Sequence, residues 1–230
     1  MKLKIAILGT RDIPNHYGGF EHISEYVSEG LVKRGYSVTV YNSHNHPKED
    51  YFLLMARMEP KNNIETILEG FNNSNSHKTF KVLGDTSNRF GKFITHKFKN
   101  YERIQFKGAI FDTAKVRALQ NNSYLYFHGH SVGGTNLSLL EAMASKALIA
   151  AHNNPFNKSV LNSDAFYFSN AGEVQNIVEN VQRKETEKTM VTNNLHKIKY
   201  QFNWEKIIGQ YEAFILESYY QSNYAPIVCY

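Results

Sequence analysis

Tyr124-Leu125-Tyr126-Phe127-His128-Gly129-His130-Ser131-Val132-Gly133-Gly134-Thr135-Asn136-Leu137-Ser138-Leu139-Leu140-Glu141-Ala142-Met143-Ala144 is the most informative stretch of the chain. Tyr124 to Phe127 is apolar throughout and short enough to be a buried strand. The glycine-rich segment behind it is a turn, and Thr135 or Asn136 is suited to cap the helix that follows. A helix N-terminus presents free N–H groups and a positive dipole, so a turn of this kind is an anion cradle. Glu141, expected about two turns into the helix, is placed to accept hydrogen bonds from ribose hydroxyls, as a carboxylate does in other nucleotide sites.

Outward from this stretch the same alternation recurs. Phe52 to Ala56, Phe80 to Leu83, Ile104 to Phe106, Leu148 to Ala151 and Ala165 to Phe168 all read as buried strands, and most are followed by a helical segment. Strands without polar alternation, separated by helices, imply a parallel sheet covered on both faces. The fold class is α/β, a doubly wound, Rossmann-like parallel sheet. Its end is helical: Ala171 to Arg183, Glu185 to Tyr200 and Trp204 to Tyr220, the last with Ile207, Ile208, Tyr211, Phe214 and Ile215 at three- and four-residue spacing. Asn72 to His77 is the expected flexible loop.

Upstream lies a smaller unit. Lys4 to Leu8 and Ser37 to Tyr41 read as strands around a helix spanning His22 to Gly35, and the polar His44 to Asp50 reads as a junction. The expected division is residues 1–50 and 51–230. Two strands and one helix leave faces and an edge uncovered, so this piece must pack on the larger unit, pair with another chain or be poorly ordered.

Composition bounds the function. With 230 residues, 42% hydrophobic and a net charge of +5, the chain has apolar material for a core and lacks the signature of disorder. No stretch reaches the length of a membrane span, and the N-terminus lacks the pattern of a signal peptide, so a cytoplasmic location is expected. Cys229 is the single cysteine and closes no intrachain disulfide. A pI near 9.1 suits a nucleic acid, an anionic membrane surface or an anionic small ligand. The basic residues are scattered except for Lys92, His96, Lys97 and Lys99, a pattern more typical of a solvated helix face.

Two further constellations carry chemistry. Gly9 to Glu21 follows the first strand and holds the adjacent Gly18 and Gly19 just before a helix, a second possible anion cradle or a plain glycine turn. It is neither a P-loop nor a dinucleotide fingerprint. Arg57 and Lys61 follow the first strand of the larger unit, at the carboxyl edge where open α/β sheets bind ligands, and a guanidinium there grips phosphate bidentately. His128 and His130 lack a third ligand at recognisable spacing and read as packing residues rather than a metal site.

Residues 52–168 resemble the nucleotide-sugar-binding C-terminal domain of retaining GT-B glycosyltransferases of family 4, and residues 1–47 resemble the beginning of their N-terminal domain. Ile5 to Arg11, Tyr17 to Glu21, Tyr41 to His44 and His128 to Met143 are similar to bacterial rhamnosyltransferases and related hexosyltransferases of polysaccharide assembly. The resemblance implies that Arg57 and Lys61 hold the donor diphosphate, although Asn62 stands where the family lysine would. It implies that Glu141 binds ribose. The family's sugar-side carboxylate is replaced by Gly133, so backbone N–H groups of Gly133, Gly134 and Thr135 would face the donor. Gly18 and Gly19 would approach the donor phosphates or the acceptor.

The implied reaction is retaining, independent of metal and of any cofactor. It moves a hexose such as rhamnose from a dTDP- or UDP-linked donor to a lipid-linked or polysaccharide acceptor, on the inner membrane face or in the cytoplasm, with no nucleic acid partner. Most of the acceptor-side domain is missing between His46 and Tyr51. The resemblance therefore leaves a second expectation, an inactive remnant that still binds the nucleotide sugar. The basic pI and the Lys92 to Lys99 stretch support a third, binding to a nucleic acid or membrane surface.

Overall fold

The computed structural model describes residues 4–10, 27–42, 51–182 and 184–224. Strand β1 (Lys4–Thr10) pairs in parallel with β2 (Ser37–Asn42) in a two-stranded sheet. Helix α1 (27–33) precedes β2 and ends at Gly35, whose φ of 88° gives the left-handed turn that closes a helix. The expected glycine loop with Gly18 and Gly19, the expected junction His44 to Asp50 and Cys229 lie outside the described residues.

The larger unit contains β3 (Tyr51–Met55), α2 (Ile64–Asn73), β4 (Thr79–Leu83), α3 (Arg89–Lys97), β5 (Ile104–Phe106), α4 (Thr113–Asn122) and β6 (Leu125–His128). It continues with α5 (Leu137–Ala144), β7 (Ile149–His152), α6 (Pro155–Leu161), β8 (Phe166–Phe168), α7 (Ala171–Asn180), α8 (Glu185–Tyr200) and α9 (Trp204–Tyr224). The six strands form one parallel sheet in the order β5-β4-β3-β6-β7-β8. The order reverses between β3 and β6, which opens a crevice beyond their carboxyl ends.

Period-two alternation along β3 explains why the strand is apolar throughout. Phe52 and Leu54 enter a core shared with Ile67 and Phe71 of α2, Val174 and Ile177 of α7, Phe80 and Phe127. Tyr51 and Leu53 enter the opposite core, with Leu139 and Met143 of α5, Val160 and Leu161 of α6 and Tyr126. The first core is an aromatic stack: Phe71 meets Phe80 edge-on at 5.0 Å, and Phe52 lies 5.7 Å from Phe71 and 6.1 Å from Phe127. Each such ring contributes on the order of 2 kcal/mol by burial, with a further increment from edge-to-face geometry.

Two expectations need correction. Helix α7 stops at Asn180 rather than Arg183, because Val181 is extended (φ −65°, ψ 122°). The stretch 72–77 is tethered rather than loose: Asn72 and Asn73 belong to α2, Arg103 donates to the carbonyls of Ser76 and Asn72, and the N–H of Asn75 donates to Glu179. Of the basic stretch on α3, Lys97 is committed to Glu65 and Glu69, which removes it from any anion-binding patch. On α9 the apolar stripe exists, yet Ile208, Tyr211, Phe214 and Ile215 are all exposed. None of the described residues covers it. No helix among the described residues is long and apolar enough to cross a membrane.

Candidate functional site

The loop after β3 is built around its own backbone. Buried Met58 turns it away from the sheet, Pro60 opens a single 3-10 turn (Pro60–Asn62), and Asn63 (φ 49°) ends that turn and starts α2. The Asn62 side chain donates to Arg57 O at 2.7 Å and Asn88 donates to Met58 O at 2.9 Å. What remains outward is Arg57, with its side chain 76% exposed, and Lys61. Between them stands Glu59, 3.7 Å from the guanidinium and 2.9 Å from the ammonium. Its carboxyl is held below the usual range, first by the hydrogen bond from Lys61 and then by the surrounding positive charge of Arg57 and Lys61, against partial desolvation.

The loop after β6 is clamped from two sides. Asn63 donates to Gly129 O at 2.7 Å, and Ser131 donates to Lys61 O through both its N–H (3.0 Å) and its hydroxyl (2.7 Å). From the β7 side, Asn154 and Asn157 both donate to His130 O, at 2.9 and 3.0 Å. The carboxyl ends of β3 and β6 are thus stitched across the reversal of strand order. Beyond this clamp residues 132–135 are exposed, with Gly133 at φ 100°, where only glycine sits without strain. Asn136, rather than Thr135, caps α5 by accepting from the N–H of Ser138 at 3.0 Å. Gly133, Gly134 and Thr135 therefore lead directly into a helix N-terminus that faces the crevice.

His128 belongs to the interior. Its ring is 1% exposed, neither nitrogen has a hydrogen-bond partner, and it stacks on His130 at 4.5 Å and 17°. Burial, reinforced by the charge of His130, pushes its pKa down to about 3. Among the described residues no three of His, Cys, Asp and Glu converge as a metal-ligand set. Because the folded pKa lies below the unfolded value of 6.5, the unfolded chain binds more protons at lower pH. Stability is retained above pH 6.5 and lost as the pH falls toward 3. Between pH 6.5 and 5 the expected loss through this one residue is about 2 kcal/mol. Urea unfolding of the wild type and His128→Phe at both pH values checks this: the acid loss should shrink by that amount in the variant, and equal losses would remove His128 as the cause.

The structure places Arg57 and Lys61 in the loop after β3 and Gly133, Gly134 and Thr135 in the loop after β6, and Ser131 joins the two loops by its bonds to Lys61 O. Glu141 sits just over one turn into α5, not two, and is exposed. Sequence reasoning missed Glu59 between the two cations, the asparagines 62, 63, 154 and 157 that hold both loops, and a cavity of about 410 Å³ beside Arg57. That cavity is lined by Arg57, Glu59, Gly84, Asp85, Ile110 and Phe111. Of these asparagines Asn154 also caps α6, directly before Pro155. The cavity joins three loops distant in sequence, which no local pattern reveals.

A six-stranded parallel sheet with one reversal of strand order, and glycine-rich and cationic loops at that reversal, defines a Rossmann-like domain. Residues 41–201 match the family glycosyl transferases group 1, and the chain belongs to that family. Its fold is that of GT-B proteins. Anabaena HepE in complex with UDP and glucose superimposes with a TM-score of 0.65 at 13% identity, over 91% of this chain and 70% of that one. The C-terminal domain of the Francisella tularensis group 1 protein LpcC gives 0.60 at 16%, over 71% of this chain and 96% of that one. A variant of S. aureus TarM in complex with fondaparinux, α-GlcNAc-glycerol and UDP gives 0.58 at 15%, over 83% of this chain. The chain spans only 42% of TarM. No curated protein matches the chain.

Proposed function

We propose that the crevice between the β3 and β6 loops binds a nucleoside diphosphate sugar and that the protein serves hexosyl transfer. One observation carries this reading: where strand order reverses, the loop that bears Arg57 and Lys61 is hydrogen-bonded to the glycine turn leading into α5, beside a cavity of about 410 Å³. Arg57 and Lys61 take the diphosphate, with the N–H groups of Gly133, Gly134 and Thr135 opposite. The cavity bordered by Ile110 and Phe111 takes the nucleoside, and Glu141 takes the ribose. The cationic side chains and the helix dipole neutralise the leaving diphosphate, so the transfer proceeds without a metal. The UDP and saccharides bound by HepE and TarM support a UDP-linked donor and a glycan acceptor, and a dTDP-linked donor rests on the motif resemblance. The narrower reading is retaining transfer of rhamnose or another hexose to a lipid-linked or polysaccharide acceptor, in the cytoplasm or at the inner membrane face. It rests on the motif resemblance of His128 to Met143.

A second reading is a module that binds the nucleotide sugar without transferring it. It is favoured by the brevity of the acceptor-side unit, in which the described residues form two strands and one helix before β3. A retaining transfer needs both substrates fixed in near-attack geometry, and positioning supplies a large share of the barrier reduction. Turnover of labelled donor with a lipid-linked acceptor by the purified chain would exclude this second reading.

The donor site is tested by calorimetry with UDP, dTDP and GDP. Arg57→Ala is expected to weaken the bound nucleotide about 10- to 100-fold, the range of one or two charged hydrogen bonds. Glu141→Ala should cost about 10-fold, and adenosine 5′-diphosphate lacking neither ribose hydroxyl serves as a base control. Unchanged affinity in both variants would remove these residues from the site.

A further inference from the structure

His130 is a titratable side chain at this crevice to which the donor-site reading gives no role. Its backbone is immobilised by Asn154, Asn157 and the Ser131 bonds to Lys61 O. Its ring is half-buried and backed by the flat face of His128, and its Nδ1 is enclosed without a hydrogen-bond partner. The charged groups that face it are Arg57, Glu59 and Lys61 from the loop after β3. From the end of β6 it meets His128, and from β7 the nearest titratable group is His152, whose Nδ1 lies 3.2 Å from the Asn154 amide. Helix α6 contributes only the neutral Asn154 and Asn157.

Burial, Arg57 and Lys61 all disfavour the imidazolium, and Glu59 favours it less strongly than they oppose it. Near neutral pH the ring is uncharged while the crevice is empty of anion. A diphosphate seated on Arg57 and Lys61 reverses that balance, because its charges offset both cations and stand close to the ring.

We propose that His130 is a further ligand of the donor diphosphate and that its ring takes up a proton as the diphosphate binds. The proposal rests on the donor-site reading above. His128 cannot substitute for it, since that ring is sealed from the crevice. Proton uptake on binding means that affinity rises as pH falls, by at most about tenfold per pH unit for one proton. The same linkage makes nucleotide product leave more readily at higher pH.

The experiment is calorimetry of UDP and of dTDP binding to the full chain and to His130→Gln, at pH 6.5 and 7.5, in buffers of different ionisation enthalpy. The terminal phosphate of the nucleotide titrates near pH 6 and contributes equally with both proteins, so their difference reads the histidine. The wild type is expected to take up about half a proton more than the variant at pH 6.5, by the linkage of one titrating group. Its affinity advantage over the variant should grow about threefold or more between pH 7.5 and 6.5. Equal proton counts and a constant affinity ratio would overturn the proposal and leave the donor site standing. Absence of binding by the wild type would overturn both. If His130→Gln does not fold, the ring proton resonances of His130 in the wild type, titrated with and without UDP, decide: a pKa raised by UDP supports uptake and an unmoved one refutes it.

Discussion

Gly129→Ala is expected to destabilise the chain by about 3 kcal/mol and to weaken nucleotide binding at least tenfold, the larger end of what overpacking costs. The reason is approach rather than conformation, since Gly129 does not have a positive φ. A Cβ built there would lie 1.9 Å from Asn62 O and 2.9 Å from both the Asn62 carbonyl carbon and Ile67 Cδ1. Backbone must therefore move, and the backbone in question is the loop that presents Lys61. Moving it breaks or stretches the bond from Asn63 to Gly129 O and the pair from Ser131 to Lys61 O. Each contributes about 1 kcal/mol, so their loss adds to the steric term. Gly134→Ala is the control, because that position has open space around it and no left-handed φ. Urea unfolding with calorimetry separates the two: equal stability of the two variants would show that the loops tolerate separation and that the stitching is not what holds the crevice.

The sheet was legible because its strands are apolar on both faces, and that pattern depends only on period two and burial. All eight expected strands form, with ends within two residues of expectation, and α8 spans Glu185–Tyr200 as read. Arg57, Lys61 and the glycine turn were legible for a related reason: polar or glycine residues that interrupt an apolar run at the carboxyl end of a strand have few structural uses. Glu59 was not legible, because a carboxylate two residues from an arginine and two from a lysine reads as ordinary surface charge. Only the folded loop brings it between both cations. The asparagine clamp escaped for a different reason. Side-chain amides are equally good caps and equally good cross-links, and Asn63 and Asn154 find carbonyls 66 and 24 residues away. For α9 the periodicity correctly specified a helix with one apolar face, but periodicity carries no information about what lies against that face.

Lys197→Met is expected to cost about 3–5 kcal/mol, a large share of the 5–15 kcal/mol typical of a whole domain. The ammonium lies 2.6 Å from Asp164 Oδ2 with both side chains close to fully buried, at 9% and 12% exposure. It also donates to Leu161 O at 2.5 Å and Asn194 Oδ1 at 3.2 Å. Asn193 and Asn194 complete the network by donating to the carboxylate and the carbonyl of Asp164. The network joins α8 to the turn between α6 and β8, and it tolerates burial only because every charge in it is paired. Methionine matches the length of the lysine stem, so the loss isolates the uncompensated Asp164 and its neighbours rather than a cavity. Adding Asp164→Asn should recover about half of the loss, since the stranded charge accounts for most of it. A double variant no more stable than the single one would assign the cost to packing instead. Nucleotide affinity, measured at a temperature where both proteins are folded, should change by no more than about twofold, because none of these groups faces the crevice and distant sites act independently. A larger fall would mean that α8, through Ile198 in the same core as Leu139 of α5, sets the position of the helix that carries Glu141.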